Sequence, residues 1–273
     1  MPAAAEQPRP RVGVVKLASC DGCQLTLLDL EDQLLPILGR FDLIEFPEAT
    51  SNRSEGPYDI LLVEGSVSTP EQAEEIIDLR ARTRLLVSIG ACATAGGIQA
   101  LRNAVDEPAW RASVYPEPSF VSSLATATPI ADHVVVDAEL RGCPIAPDQL
   151  LELLTALRIG RRPQLPVESV CQACKRAGNI CVLVSDGVPC LGPVTQTGCG
   201  ALCPTYLRGC YGCFGPREEV NVASLHHWIS IERGPEATDR LFAGFTGWAP
   251  PFREPATRAV RAAQPAGEES EHA

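Results

Sequence analysis

The sequence predicts an α/β fold: a parallel sheet within residues 11–160, followed by an irregular, cysteine-rich domain. Apolar strand-like segments alternate with helical segments through the first part of the chain. This alternation stops near residue 160, and eight of the twelve cysteines lie between 171 and 213. Because apolar strands that alternate with helices form parallel sheets covered on both faces, we expect this architecture for the first part.

The first predicted element is a β-branched strand at 11–18. It is followed by a helix with leucines at helical spacing at 24–38, and Gly39 is expected to end that helix. Short apolar runs predict four more strands, at 41–46, 58–65, 84–90 and 131–140.

Two further helices have recognisable ends. Thr69 is expected to cap a helix that has Pro70 in its first position, and Gln72 completes a capping box. The amphipathic segment 146–160 predicts the last helix of the sheet domain, which ends at a glycine.

The composition divides the chain into four parts. Residues 1–10 are expected to form an N-terminal extension, 11–160 the sheet domain and 161–248 the cysteine-rich domain. The segment 249–273 is rich in proline, alanine and charge, which predicts an extended or disordered tail.

The overall charge and hydropathy exclude some classes of protein. The net charge of −11 and the pI of about 4.9 argue against a nucleic-acid binder, which needs a basic face. No run of apolar residues is long enough to span a membrane, and no secretion signal is recognisable, so we expect a cytoplasmic protein. In that compartment, abundant cysteines are more often metal ligands than disulfides.

Four cysteines far apart in sequence are predicted to meet at one edge of the sheet. Cys20, Cys23 and Cys92 directly follow predicted strands, and Cys143 lies a few residues beyond another. Ligands of parallel sheets gather at the carboxyl ends of the strands. A four-thiolate site at that edge is therefore expected.

The cysteine count favours iron–sulfur clusters, since a [4Fe–4S] cluster takes four thiolates and twelve cysteines make three such sets. Chain order gives a first set of Cys20, Cys23, Cys92 and Cys143, a second of Cys171, Cys174, Cys181 and Cys190, and a third of Cys199, Cys203, Cys210 and Cys213. An interleaved assignment of the last eight, as in two-cluster ferredoxins, remains open.

A Cys-x-x-Cys pair also occurs in two other kinds of site. A zinc site usually combines two such pairs at short separation, whereas Cys92 and Cys143 are isolated. A redox dithiol at a helix start would account for Cys20 and Cys23 but not for the other ten cysteines. No nucleophile–base set is recognisable, so several redox centres without a substrate site suggest an electron carrier.

Three loops carry a resemblance to a known family. The segments SCDGCQLT (19–26), SIGACATAGGI (88–98) and RGCPIAP (141–147) resemble the small subunit of [NiFe] hydrogenases, which is related to the 20 kDa subunit of respiratory complex I. The resemblance implies that these loops hold a proximal [4Fe–4S] cluster at the end of a flavodoxin-like domain.

The second half, with VPCLGPVTQTGCGALCPTYLRGCYGCFGP (188–216), is similar to the cytoplasmic group 3 enzymes, which include sulfhydrogenase delta subunits and F420-non-reducing hydrogenase small subunits. Cys171 stands where periplasmic relatives have a histidine, and Cys203 adds a fourth medial cysteine. The family order implies a distal cluster at Cys171, Cys174, Cys181 and Cys190, and a medial cluster at Cys199, Cys203, Cys210 and Cys213.

The resemblance implies an electron-transfer subunit with three [4Fe–4S] clusters and no catalytic residue of its own. Its expected partners are a large subunit with the Ni–Fe site, a flavin- and NAD(P)-binding subunit and ferredoxin-like subunits. The alternatives are an F420-non-reducing or ferredoxin-linked hydrogenase, and a complex-I-like quinone oxidoreductase subunit. A zinc-stabilised interaction protein is a third hypothesis.

Overall fold

A computed structural model describes residues 9–263. Its centre is a five-stranded sheet in the order β2-β1-β3-β4-β5, in which every neighbouring pair of strands is parallel. The strands are β1 (Arg11–Lys16), β2 (Asp42–Glu45), β3 (Tyr58–Glu64), β4 (Thr83–Ile89) and β5 (Ala138–Leu140). The predicted parallel α/β architecture is therefore confirmed.

Six α-helices belong to the sheet domain: α1 (Gly22–Leu28), α2 (Leu34–Leu38), α3 (Pro70–Ala81), α4 (Gly90–Ala95), α5 (Glu107–Val114) and α6 (Pro147–Arg158). The 3-10 helices are Glu31–Gln33, Ile98–Ala104, Pro118–Phe120 and Ile130–Asp132. The predicted capping box of α3 is present, with the Thr69 hydroxyl accepting from the Gln72 backbone N–H.

The alternation of side chains along the strands builds a core on each face of the sheet. Ile60 and Leu62 of β3 pack with α1 and α6 on one face, whereas Leu61 and Val63 pack with α3 and α4 on the other. Since both faces are covered, the middle of the central strands β3 and β4 is a continuous run of apolar residues.

Residues 161–263 form six helices: α7 (Val170–Arg176), α8 (Val182–Ser185), α9 (Leu202–Thr205), α10 (Val222–Arg233), α11 (Pro235–Phe242) and α12 (Pro250–Ala262). Its apolar residues form two small clusters, one centred on Phe242 and Phe252 and the other on Val170 and Val182. No helix within residues 9–263 is long and apolar enough to cross a membrane.

The two parts are joined by a dense contact beside β5. Arg141 donates to the carbonyl oxygen of Pro216 at 2.8 Å and to the side-chain oxygen of Gln196 at 3.2 Å. The buried ring of Phe214 packs against Gly142 and Gly198. These contacts fix the loop after β5 against the cysteine-rich segment.

Two predicted elements of the sheet domain differ in extent. The single helix expected at 24–38 is divided into α1, a 3-10 turn and α2, with Glu31 at a φ of +48° between them. The strand expected at 131–140 is reduced to β5, because Pro129 precedes a 3-10 turn at Ile130–Asp132.

The predicted extended tail was wrong over residues 250–262, which form α12. Phe252, Ala256 and Ala259 recur at helical spacing and are buried. Pro250 and Pro251 lie in the first turn, where a missing N–H costs nothing. The remainder of the predicted tail, like most of the predicted N-terminal extension, lies outside the described residues.

Candidate metal centres

The structure brings the first four cysteines to the carboxyl edge of the sheet. Cys20 and Cys23 follow β1, with Cys23 in α1; Cys92 lies in α4 directly after β4; and Cys143 lies three residues beyond β5. The strand between β1 and β4 is β3, and it ends at the same edge with Glu64. The sheet therefore sets the spacing of these four thiols.

Two glycines make room for the sulfur atoms. A Cβ on Gly90, whose φ is +85°, would overlap the Cys23 Sγ, and a Cβ on Gly97 would lie 2.6 Å from the Cys92 Sγ. Both positions also have a positive φ, a conformation that other residues adopt only with strain. The backbone thus closes tightly around two of the four thiols.

Glu64 is a residue of this site that the sequence pattern alone did not identify. Its carboxylate is 2% exposed and accepts hydrogen bonds from the Cys23 backbone N–H at 3.1 Å and from the Gln24 side-chain amide at 3.0 Å. Burial raises the pKa of Glu64. The available signal was an acidic residue directly after the apolar run ILLV (60–63).

The thiols of the first set influence one another. Burial raises the pKa of Cys92 to about 11, and the neighbouring Cys143 and Cys20 contribute to the rise. Burial also raises the pKa of Cys23, together with the charge of Glu64. These thiols therefore keep their protons at neutral pH until a metal displaces them, which couples metal binding to proton release.

A second group of cysteines lies on α7, α8 and the following loop. Cys171 and Cys174 are one turn apart on α7, Cys181 caps α8, and Cys190 is buried beyond it. Burial raises the pKa of Cys171 to about 11, with further contributions from Cys190, Cys181 and Cys174. The four cysteines predicted as one set are thus electrostatic neighbours.

The third group surrounds α9. Cys203 lies in this helix, Cys199 precedes it, and Cys210 and Cys213 follow it. Burial raises the pKa of Cys213 to about 12, the Cys199 and Cys203 thiols add to the rise, and the backbone N–H of Cys143 opposes it. Cys213 therefore neighbours its own predicted set and also Cys143 of the first set.

The second and third groups also touch each other. The Cys190 Sγ accepts hydrogen bonds from the backbone N–H of Cys210 at 3.1 Å and of Gly192 at 3.4 Å. The Cys210 Sγ accepts from the Gly212 N–H at 3.4 Å. Such N–H donors stabilise thiolate and sulfide charge in iron–sulfur proteins.

The donor set suits iron–sulfur clusters. All twelve cysteines are free thiols. Within residues 9–263, no group of three or more His, Cys, Asp or Glu side chains is arranged to hold a single metal ion. In a [4Fe–4S] cluster each of the four thiolates binds a different iron, so its ligands need not converge on one point. The buried thiols, the glycines and the N–H donors all fit such a group.

Comparison with known proteins identifies the family. The family described as NADH ubiquinone oxidoreductase, 20 Kd subunit, matches residues 20–157, from the first cysteine of the sheet site to the end of α6. The chain belongs to this family.

Similarity extends over the cysteine-rich part as well. The chain is 37% identical to the delta subunit of sulfhydrogenase 2 from Pyrococcus furiosus, over 87% of this chain and 100% of that protein. It is 29% identical to a subunit of the vhu F420-non-reducing hydrogenase of Methanococcus voltae, over 77% of this chain and 83% of that protein. These relatives place the chain among the small subunits of the [NiFe] hydrogenase family.

Solved structures agree with this assignment. A chain of an NAD+-reducing [NiFe]-hydrogenase matches with a TM-score of 0.54 and 30% identity, over 58% of this chain and 96% of that chain. The [NiFeSe] hydrogenase of Desulfovibrio vulgaris Hildenborough shares the fold, with a TM-score of 0.56 at 17% identity over 77% of this chain and 94% of that chain.

Proposed function

We propose that this chain is the electron-transfer small subunit of a [NiFe] hydrogenase. It would relay electrons between the Ni–Fe site of a separate large subunit and a flavin- and NAD(P)-linked partner in the cytoplasm. The observation that carries this proposal is that free thiols far apart in sequence lie near one another, in a chain that matches a sulfhydrogenase subunit over that protein's whole length.

Each set would hold one [4Fe–4S] cluster. The proximal cluster would take the sheet-edge set, Cys20, Cys23, Cys92 and Cys143. The medial cluster would take Cys199, Cys203, Cys210 and Cys213, and the distal cluster would take Cys171, Cys174, Cys181 and Cys190. The proximity of Cys213 to Cys143 and the hydrogen bond from the Cys210 backbone N–H to the Cys190 Sγ support this order, because the medial set lies next to both of the others.

The bound clusters would supply one-electron redox chemistry, and the protein would set their potentials through burial and hydrogen bonds. Glu64 and Gln24 fix the start of α1, and Gly90 and Gly97 let the backbone approach the sulfur atoms. In this role no residue of the chain would perform acid–base chemistry on H2.

The identity of the electron acceptor has two candidates. Similarity to a chain of an NAD+-reducing hydrogenase supports an NAD(P)-linked partner. Similarity to an F420-non-reducing hydrogenase subunit supports a different acceptor in an otherwise equivalent relay. A complex-I-like role is less well supported, because the family match ends at residue 157, before the last eight cysteines.

The test is reduction by H2 in the assembled enzyme. We expect the complex, purified without oxygen through a tag on this chain, to contain a large subunit and to be brown. Its visible absorption should bleach under H2 and recover when NAD(P)+ is added. A colourless complex that contains zinc would overturn the proposal, whereas bleaching that recovers only with another acceptor would favour the second candidate.

A further inference from the structure

The side chain of Gln149 has a buried hydrogen-bond donor with no partner. Gln149 is 8% exposed, and its amide nitrogen Nε2 makes no hydrogen bond to any other residue within 9–263. Leaving such a buried N–H unpaired costs about 1–3 kcal/mol. A group that accepts this hydrogen bond is therefore expected at the site.

Gln149 lies between two of the proposed cluster sites. It is the third residue of α6, whose first turn follows the loop that carries Cys143. Its Nε2 packs directly against Gly198, the residue before Cys199. A side chain at Gly198 would overlap both this nitrogen and the Phe214 ring, so the glycine is what allows the amide to approach the cysteine-rich loop.

The residues around the amide adjoin cysteines in the sequence. Cys199 follows Gly198, and Cys213 precedes the buried Phe214, which also packs on Gly198. The Cys213 thiol in turn neighbours Cys199 and the backbone N–H of Cys143. The unpaired N–H therefore lies where the sheet-edge set meets the medial set.

We propose that the Gln149 amide donates an N–H···S hydrogen bond to the medial cluster, the one held by Cys199, Cys203, Cys210 and Cys213, and thereby raises its reduction potential. This inference rests on the proposed function. Hydrogen bonds to cluster sulfur are among the features that set these potentials. The reduced cluster carries one more negative charge than the oxidised cluster, so an N–H donor stabilises it more.

The direct test is Gln149→Met in the whole hydrogenase complex, because methionine keeps the length of the side chain and removes the donor. In a redox titration followed by electron paramagnetic resonance, we expect the medial potential to become more negative. The proximal and distal potentials should stay unchanged. Gln164→Met is the matched control, since Gln164 is an exposed glutamine in the loop after α6.

A second measurement separates hydrogen bonding from a structural role. Electron–nuclear double resonance of the reduced medial cluster should show an exchangeable proton that disappears in D2O and in Gln149→Met. If that variant loses its clusters, Gln149→Leu replaces it. Leucine also removes the donor and adds no charge, so the same signal should be lost and the potential should fall by a similar amount.

An unchanged medial potential together with an unchanged proton signal in a fully loaded variant would overturn the inference, and a buried water would then be the acceptor. That result would leave the proposed function intact. The proposed function fails separately, if the wild-type complex itself lacks three clusters.

Discussion

The sheet domain and the cysteine-rich domain hold their thiols by different means. In the sheet domain, strands that also build two large apolar cores deliver Cys20, Cys92 and Cys143 to one edge. In the cysteine-rich domain, helices of four to seven residues and loops carry the thiols, and backbone N–H groups bond directly to sulfur. The first domain therefore has a core without metal, whereas much of the second is organised around its cysteines.

The largest difference should appear when iron is removed. Where the apolar core is small, metal binding supplies much of the free energy of folding. We therefore expect the chelated, oxidised chain to unfold within 171–217 and to keep the sheet domain folded. Limited proteolysis with mass spectrometry should give a stable fragment that ends near residue 160. Equal protease resistance of both regions, or loss of both together, would contradict the comparison.

The next largest effect concerns the fit of the backbone around the proximal thiols. Gly90→Ala adds a methyl group that overlaps the Cys23 Sγ, so we expect loss of the proximal cluster alone, which is about 4 iron atoms per chain. Iron analysis of the purified complex measures this loss.

The matched control is Gly160→Ala. Gly160 also has a positive φ, +70°, but a Cβ there would meet nothing within 4 Å. We expect this variant to keep all its iron and to lose only about 1–2 kcal/mol of stability from backbone strain. Equal iron loss in both variants would show that strain, and not the contact with sulfur, is responsible.

The helix α12 gives the cysteine-rich domain part of its own core. Phe252 is 1% exposed and packs edge-on against Phe242, with ring centroids 5.4 Å apart. Phe252→Ala should lower the free energy of unfolding of this domain by about 3–5 kcal/mol. Phe120→Ala, at a side chain that is 87% exposed, should change stability little. Hydrogen exchange in α10 and α12 measures this loss of stability. An equal loss in both variants would contradict the claim that packing of Phe252 stabilises the domain.

The smallest effect concerns an ion network between α10, α11 and α12. The buried Asp239 carboxylate accepts from Arg258 at 2.7 and 2.8 Å and contacts the His226 ring at 2.7 Å. Because Arg258 is half-exposed, Arg258→Met should cost only about 1 kcal/mol. Glu254→Gln, which changes an 87% exposed partner of Arg258, should cost nearly nothing. Denaturant unfolding measures both changes in stability. A larger loss of stability for Glu254→Gln than for Arg258→Met would contradict this ranking.

Much of the sheet domain was predictable because its signals are local. The apolar strand segments, the Thr69 capping box and the positions of Cys20, Cys92 and Cys143 after strands all follow from short segments. Glu64 was missed because its role depends on β3 lying between β1 and β4, which the order of the chain does not reveal. The division of the 24–38 helix was missed because leucine spacing alone does not show a turn with a positive φ at Glu31.

The second domain was less predictable because its contacts are long-range. The helix α12 was missed because its prolines argue against a helix. Its apolar face can also be recognised only from the residues that it covers. The packing of Gln149 on Gly198 joins residues on two different domains. The count of twelve cysteines predicted the kind of site, whereas the neighbours of each thiol could be identified only from the fold.

The central claim is that three sets of four thiols each hold a separate cluster. It is tested most directly by iron and acid-labile sulfide analysis of this subunit, purified without oxygen, beside three variants, Cys92→Ala, Cys203→Ala and Cys181→Ala. We predict about 12 iron and 12 sulfide per chain in the wild type, and loss of about 4 of each, from a different cluster, in each variant. About 4 iron in the wild type, or loss of two clusters from the single change at Cys203 or Cys181, would contradict it.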